Sequence, residues 1–339
     1  ARDAVHVSVS PTAPVTDSAA PRRRFLAIVN PISGRRDVTR KIESIAKCLS
    51  DHGAELDIQT TRAPRHAIDL ARAARPDTDA ILVVGGDGTI NEVLEGLDAR
   101  PTPLAILPTG TENLLAKYLR MPRKPAEMAD LLLHGEVRSQ DLGRVNGRGF
   151  HSVVGAGFDA ECVARLAARR RGHISYWTYV LPILRTFWRH RFPTLRVDLD
   201  GVTIVDGRGL VIAGLIPRYA AGLRVLKFAD PTDGRLDVVV FECASRTRLI
   251  RHAINVAFRR HLPGRNPHER PPANGVIFGR GRRISITSPD LVPVEIDGDP
   301  AGTLPVDLVI QRNAARFLRP SGATGGLPTS ELRMGSASE

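Results

Sequence analysis

A run of five apolar residues, Ala80 to Val84, passes without a spacer into Gly85-Gly86-Asp87-Gly88-Thr89, and a helical pattern follows from Ile90 to Leu97. A strand apolar on both faces belongs in a parallel sheet covered on two sides. Glycines at its end let backbone amides approach a ligand closely, and a helix start just beyond favours negative charge. A turn that merely needs glycine would explain a lone pair. The longer GGDGT, continued by Asn91 and Glu92, is far more specific.

The same grammar recurs on either side. FLAIVN (25–30) ends in the turn Asn30-Pro31-Ile32-Ser33-Gly34, ahead of Arg35, Arg36 and a helix expected from Asp37 to His52. ELDIQT (55–60) alternates as a strand, and Pro64 to Arg75 reads as a helix opened by proline. LAILP (104–108) leads into Thr109-Gly110-Thr111-Glu112-Asn113, with a helix from Glu112 to Arg120. Repeated strand, helix and strand predicts a parallel α/β domain, whose ligands bind beyond the carboxyl ends of the strands. Taken alone, each outer loop reads as a plain turn. None of the three matches GxxxxGK[ST] or GxGxxG, which excludes a P-loop NTPase and an NAD dehydrogenase of the usual kind.

Beyond about Leu142 the pattern changes. LRVDLD (195–200), LVIAGLI (210–216), LDVVVFE (236–242), RISIT (283–287) and VEID (294–297) are strands parted by Gly, Pro and Asp, with helices expected at 159–170, 173–189 and 245–259. This half reads as antiparallel and β-rich, with a boundary near 140. Residues 1–21 and 321–339 are small, polar and Gly/Ser-rich, and read as disordered tails.

The 339 residues suffice for one large domain or two moderate ones. Forty-eight Lys and Arg against 36 Asp and Glu give a net charge of +12, and Lys occurs only at 41, 47, 117, 124 and 227, so Arg supplies the excess. Such a surface suits nucleic acid, acidic phospholipid or polyphosphate, although an Arg-rich proteome would produce the same bias. Cys48, Cys162 and Cys243 lie too far apart for a CxxC zinc site and suggest no disulfide framework, which fits a reducing compartment. No apolar run is long enough to span a bilayer, and the first 20 residues lack the apolar core of a signal peptide. A cytoplasmic location is expected.

NPISG, GGDGTINE (85–92) and LPTGTEN (107–113), at these intervals, resemble the diacylglycerol kinase catalytic-domain family. That family includes bacterial lipid kinases and sphingosine and ceramide kinases, with NAD kinases and phosphofructokinases as distant relatives. GAGFDAECV (155–163), GHISYWTYVL (172–181), FADPTDGRLDVVVF (228–241) and PVEIDGDPAGTLPVDLVI (293–310) extend the resemblance over roughly 24–320. It implies an NAD kinase/phosphofructokinase-like α/β domain at 22–140 that binds nucleotide. A β-sandwich that takes the lipid would occupy 141–312, and residues 313–320 would return to the first domain. ATP and Mg²⁺ are implied, with the nucleotide contacted at Asn30, Pro31, Ser33, Gly34, Thr61, Gly86, Asp87, Gly88, Thr89, Asn91, Glu92, Gly110 and Thr111. A structural magnesium is implied at Asp230, Asp233 and Arg235, the last through its backbone.

The family's general base ends a DGE motif, which here reads Asp297-Gly298-Asp299. Asp299 is one methylene shorter than Glu, so it must sit closer, act through water, or leave the role to Asp87. Spacing alone favours reading Asp299 as a β-turn acid, since Asp-Gly is a favoured hairpin turn; the catalytic role is what the resemblance implies. Glu112 adds a negative charge where the common motif is GTGND, and Leu114 stands where Asp is usual. Arg218-Tyr219-Ala220-Ala221-Gly222 replaces a more Gly-rich stretch.

Both tryptophans lie in a basic aromatic stretch: Arg169, Arg170, Arg171, His173, Tyr176, Trp177, Tyr179, Arg185, Phe187, Trp188, Arg189 and Arg191. It reads either as a face docking on an anionic membrane, peripheral at the inner surface, or as a helix packing its aromatics inward under solvated arginines. Nucleic acid is not expected as a partner, since no recognised motif accompanies the charge. His261, His268 and the Pro-rich 262–272 read as a solvent loop. The resulting expectation is an ATP- and Mg-dependent kinase for a lipid hydroxyl, of diacylglycerol or a sphingoid-like base. The alternatives are a catalytically weak lipid- or nucleotide-binding regulator, and a kinase for a soluble acceptor such as NAD.

Overall fold

The computed structural model describes residues 22–33, 38–97, 100–167, 177–262 and 274–320. Both expected tails, Gly34 with Arg35 and Arg36, the stretch from Arg169 to Tyr176, and His268 lie outside them.

The first half alternates as expected: β1 (Arg24–Val29), α1 (Val38–Asp51), β2 (Glu55–Thr60), α2 (His66–Arg72), β3 (Ala80–Gly85), α3 (Asp87–Gly96), β4 (Leu104–Pro108), α4 (Leu114–Leu119) and α5 (Pro125–His134). β2, β1, β3 and β4 pair in that order, all parallel. β3 is central, and every residue from Ala80 to Val84 is fully buried. Each large side chain there contributes about 1.5–3 kcal/mol by leaving water. α1 turns Ile42, Ile45 and Leu49 into the same core, at the spacing of a helix buried on one face.

α2 is shorter than the expected Pro64–Arg75. Arg65, at its N-cap, adopts a left-handed conformation (φ 68°), which places Pro64 in the preceding turn. The Arg65 and Ala67 amides find their acceptor in α3: they donate to Glu92 Oε1 and Oε2 at 3.0 and 3.3 Å.

The second half contains β5 (Glu136–Val145), β6 (Arg148–Phe150), β7 (Val153–Ala156), α6 (Phe158–Ala167), α7 (Trp177–Arg189), β8 (Thr194–Leu199), β9 (Val202–Gly214), β10 (Leu236–Glu242), α8 (Arg246–Ala257), β11 (Val276–Gly281), β12 (Arg283–Thr287), β13 (Pro293–Ile296), β14 (Asp299–Thr303) and β15 (Val306–Arg319). Its strand pairs are antiparallel. Hydrogen bonding nevertheless runs on from one half into the other. β15 pairs with β12 and β5, and at Phe317 it meets Leu104 of β4 in parallel. Ala315, Phe317 and Leu318 therefore sit in the core of the first half, while Leu114 of α4 sits in that of the second. A third cluster lies under α8.

His261 corrects one expectation. It is buried, and its Nε2 lies 2.9 Å from Val225 O, so it belongs to the packed interior just before the Pro-rich stretch.

Candidate active site

The three turns beyond β1, β3 and β4 are tied to one another. Asn30 N donates to Val84 O (2.9 Å), Thr109 N donates to Gly85 O (3.1 Å), and Asn30 Nδ2 donates to Thr89 Oγ1 (3.0 Å). Pro31 opens a 3-10 turn whose Ser33 Oγ lies 3.0 Å from Thr109 Oγ1. Gly86 and Gly110 meet backbone to backbone: a Cβ on Gly110 would come within 2.7 Å of Gly86 Cα. Asn113, at φ 50°, braces the third turn by accepting from Gly110 N (2.9 Å) and donating to Gly110 O (2.6 Å). Thr61 extends the row, its amide donating to Val29 O, and Thr111 stands exposed at the outer tip. Converging amides, hydroxyls and the N-terminus of the ten-residue α3 make an edge suited to anionic oxygens.

Asp87 is in the first turn of α3, earlier than the expected helix start at Ile90. Its carboxylate turns inward, accepting from Leu114 N at 3.2 Å and Leu115 N at 3.4 Å, and so caps α4. Burial pushes the Asp87 carboxyl up from its ordinary value and Asp297 adds to the push, while His151 and the two α4 amides pull it down. Glu112 points back along α4 to Lys117, 3.7 Å away.

Asp297 and Gly298 both have positive φ (51° and 83°), and Ile296 pairs with Asp299 across them. This is a two-residue hairpin of the primed type, so the turn reading of Asp-Gly is correct. The turn also does more. Asp297 is buried and accepts four hydrogen bonds, from Asn91 Nδ2 (2.8 Å) on α3 and from the amides of His151 (3.0 Å), Ser152 (2.9 Å) and Val153 (2.9 Å). The hairpin is thereby locked against α3, and Asp299 Oδ2 lies 3.2 Å from where a Cβ on Gly88 would stand. Gly88, Asn91, Glu92 and Asp299 line a cavity of about 880 Å³ together with Arg65, Arg72, Arg144 and Arg148.

Asp230, Asp233 and Arg235 form a separate loop against β5 and β15. Asp141 N donates to Pro231 O (2.7 Å), and Gly234 N donates to Asp141 Oδ2 (2.8 Å). Asp233 accepts from Arg235 N (2.9 Å) and pairs with Arg280 (2.5 Å), which also holds Asp237 (2.6 Å). Burial lifts the Asp237 carboxyl to about 6 despite Arg280. Among the described residues no three or more His, Cys, Asp or Glu side chains come together as a ready metal cage. Asp230 Oδ1 accepts from Thr232 N (3.0 Å) and Thr232 Oγ1 (2.7 Å), so both loop carboxylates have partners within the protein. Tyr118 of α4 faces this loop; burial and then Asp230 push its phenol to about 12. α4 thus joins Asp87 at one end to the acidic loop at the other.

Several residues around the site carry no motif of their own. His151 places Nε2 3.3 Å from Asp87 O and 3.8 Å from Asp297 Oδ2, with Nδ1 2.7 Å from Ser152 Oγ. Behind the hairpin, the half-buried Asp159 and Tyr219 gather around the fully buried Glu295. Tyr219 OH donates to Asp159 Oδ2 at 2.9 Å and lies 3.4 Å from Glu295 Oε1, and Glu295 Oε2 accepts from Gly298 N at 2.7 Å. Burial and the mutual repulsion of Asp159 and Glu295 raise the Glu295 carboxyl well above its ordinary value. Asp159 of GFD and Glu295 of EIDGD lie far apart in the sequence, so no local spacing announces their meeting.

The family model "Diacylglycerol kinase catalytic domain" matches residues 24–145, and "YegS C-terminal NAD kinase beta sandwich-like domain" matches 152–319. A diacylglycerol kinase of Mycobacterium tuberculosis is 30% identical over 306 residues, covering 88% of this chain and 95% of the relative. One from Bacillus subtilis is 26% identical over 292 residues, covering 85% and 93%. A solved structure of a diacylglycerol kinase from Bacillus anthracis shares the fold, with a TM-score of 0.66, 20% identity, and coverage of 90% of this chain and 100% of that one. With both halves matched in order and the turns of the first gathered at one sheet edge, the chain belongs to the diacylglycerol kinase catalytic-domain family, a family of lipid kinases.

Proposed function

We propose that the chain transfers the γ-phosphate of ATP to the hydroxyl of a lipid, diacylglycerol or a sphingoid-like base, presented at an anionic membrane surface. The observation that carries this reading is the convergence of three glycine-bearing turns at one edge of the parallel sheet, with Asp299 brought beside them. Phosphoryl transfer asks chiefly for positioning and for neutralisation of charge. Amides from Gly86 to Thr89, with Asn30, Ser33, Gly110 and Thr111, would hold the phosphates. Thr61, Asn91 and Glu92 would face the rest of the nucleotide, and Asp230, Asp233 and the Arg235 carbonyl would hold Mg²⁺. When bound, that ion contributes positive charge and rigidity to the adjoining junction.

Between the two candidate bases, the geometry favours Asp299. The Asp87 carboxylate is engaged in capping α4, whereas Asp299 lies beside Gly88 among the residues that line the cavity. Asp299 would accept the lipid hydroxyl proton, and Asp87 would hold α4 and the third turn in place. Replacing Asp299 with Asn should lower kcat by about 10²–10⁴ while leaving ATP affinity unchanged, as read from radiolabel transfer in mixed micelles and from calorimetry. Wild-type turnover in that variant would remove Asp299 from the chemistry. Retained ATP binding with no labelled lipid across a panel would favour the regulator, a reading motivated by the two altered motifs, DGD and GTEN. Label appearing in NAD would favour the soluble acceptor.

A further inference from the structure

α8 is apolar on two opposite faces. Leu249, His252 and Val256 are buried against the third core. At about 100° per residue, Ile250, Ile254 and Phe258 fall on the far side, where they are 48%, 50% and 68% exposed. A helix covering a core from outside ordinarily shows polar residues there. α7 ends beside it with Ile183, Leu184 and Trp188 also exposed, Trp188 at 63%. The two helices are pinned together: Arg246 of α8 donates from Nε to Phe187 O (3.2 Å) and from Nη2 to Trp188 O, and its guanidinium stands 5.6 Å from the Trp188 ring centroid. Trp188 therefore lies by the side chain of Arg246, which stands one helical turn before Ile250.

Charge identifies what this patch fits. Arg185, Arg189, Arg248, Arg251 and Arg259 are exposed around it. Neither 177–191 nor 246–260 contains an Asp or Glu. Two such faces would repel each other, which disfavours a second copy as the occupant. An apolar stripe ringed by cations, with a tryptophan at one end, suits the boundary between phosphate headgroups and acyl chains.

We infer that α7 and α8 together form the surface by which the chain docks on a bilayer bearing anionic headgroups. Trp188, Ile250, Ile254 and Phe258 enter the interface, and the arginines contact headgroup phosphates. The inference deepens the proposed function and rests on it for the identity of the partner. Its geometry adds α8, a helix that the aromatic stretch of the sequence does not include.

The test is co-sedimentation of the whole chain with phosphatidylcholine vesicles and with vesicles containing about a third phosphatidylglycerol. The wild-type chain should bind the anionic vesicles and be loosened by added salt. An I250S/I254S/F258S variant with an unchanged melting temperature should bind about tenfold less. Its activity should fall on vesicle-borne acceptor and stay unchanged on a short-chain acceptor in detergent micelles. Equal sedimentation of variant and wild type overturns the inference, as does ultracentrifugation showing a wild-type dimer that the variant abolishes. Sedimentation needs no nucleotide, so loss of binding in the variant together with absent kinase activity in the wild type would sink the kinase reading and leave the docking surface standing.

Discussion

Gly155 shows how tightly single residues are specified around the site. A Cβ there would collide with Asp159 Oδ2 and come within 2.9 Å of Glu295 Oε1. Gly155→Ala should therefore cost about 1–3 kcal/mol in urea unfolding, the usual penalty of overpacking. Glu295 carries a second, pH-dependent expectation. Its folded-state carboxyl titrates well above its ordinary value, because it is buried beside Asp159. Between the unfolded and the raised folded value, the native state binds more protons than the unfolded one, so stability falls as pH rises through that window. Glu295→Gln should make that slope shallower, measured as melting temperature against pH, with Asp87 and Asp237 keeping their own shares, and an unchanged slope would show that Glu295 ionises normally. Motif spacing singled out Asp87 and Gly88 in the sequence, and the family resemblance singled out Asp299. It could not reveal Asp297 as the acceptor for His151, Ser152 and Val153, because those partners lie 144–146 positions away. Nor could it show the Asp87 carboxylate capping α4, since GTEN gives no sign of whose side chain its helix start receives.

Elements with one clean period were readable, and those with a broken period were not. β3 and β4 are uninterrupted apolar runs, and α1 repeats at helical spacing; all three stand where the sequence places them. β15 has two alternating halves whose phase slips between Gln311 and Ala315, where Asn313 takes φ 52° and its amide donates to Asp141 Oδ1 at 2.8 Å. The bulge turns the second half into the other core, so a period of two fails across the whole strand. β5 opens with four exposed residues and becomes buried only at Gln140, which hides it for the same reason. Phe317 is fully buried in the core of the first half. Phe317→Ala should cost about 3–5 kcal/mol by denaturant titration, a loss as large as that of a central β3 residue despite its distance in sequence.

At the scale of the molecule, two cores share strands. Leu114 crosses from the first half into the second core, Phe317 crosses back, and Asn91 is bonded to the hairpin that presents Asp299. Heat or urea should therefore unfold both halves in one transition, with near-ultraviolet and far-ultraviolet signals coinciding. Two separated transitions would show that the shared strands contribute little. The phase slip in β15 also bears on how the protein is made. During synthesis the first half emerges from the ribosome first, yet the flank of β4 that Phe317 covers stays bare until β15, far along the chain from Leu104, has been translated. The edge where the three turns gather thus gains its final support only with β15, so a chain stalled before that point carries all three turns and still lacks the frame that holds them.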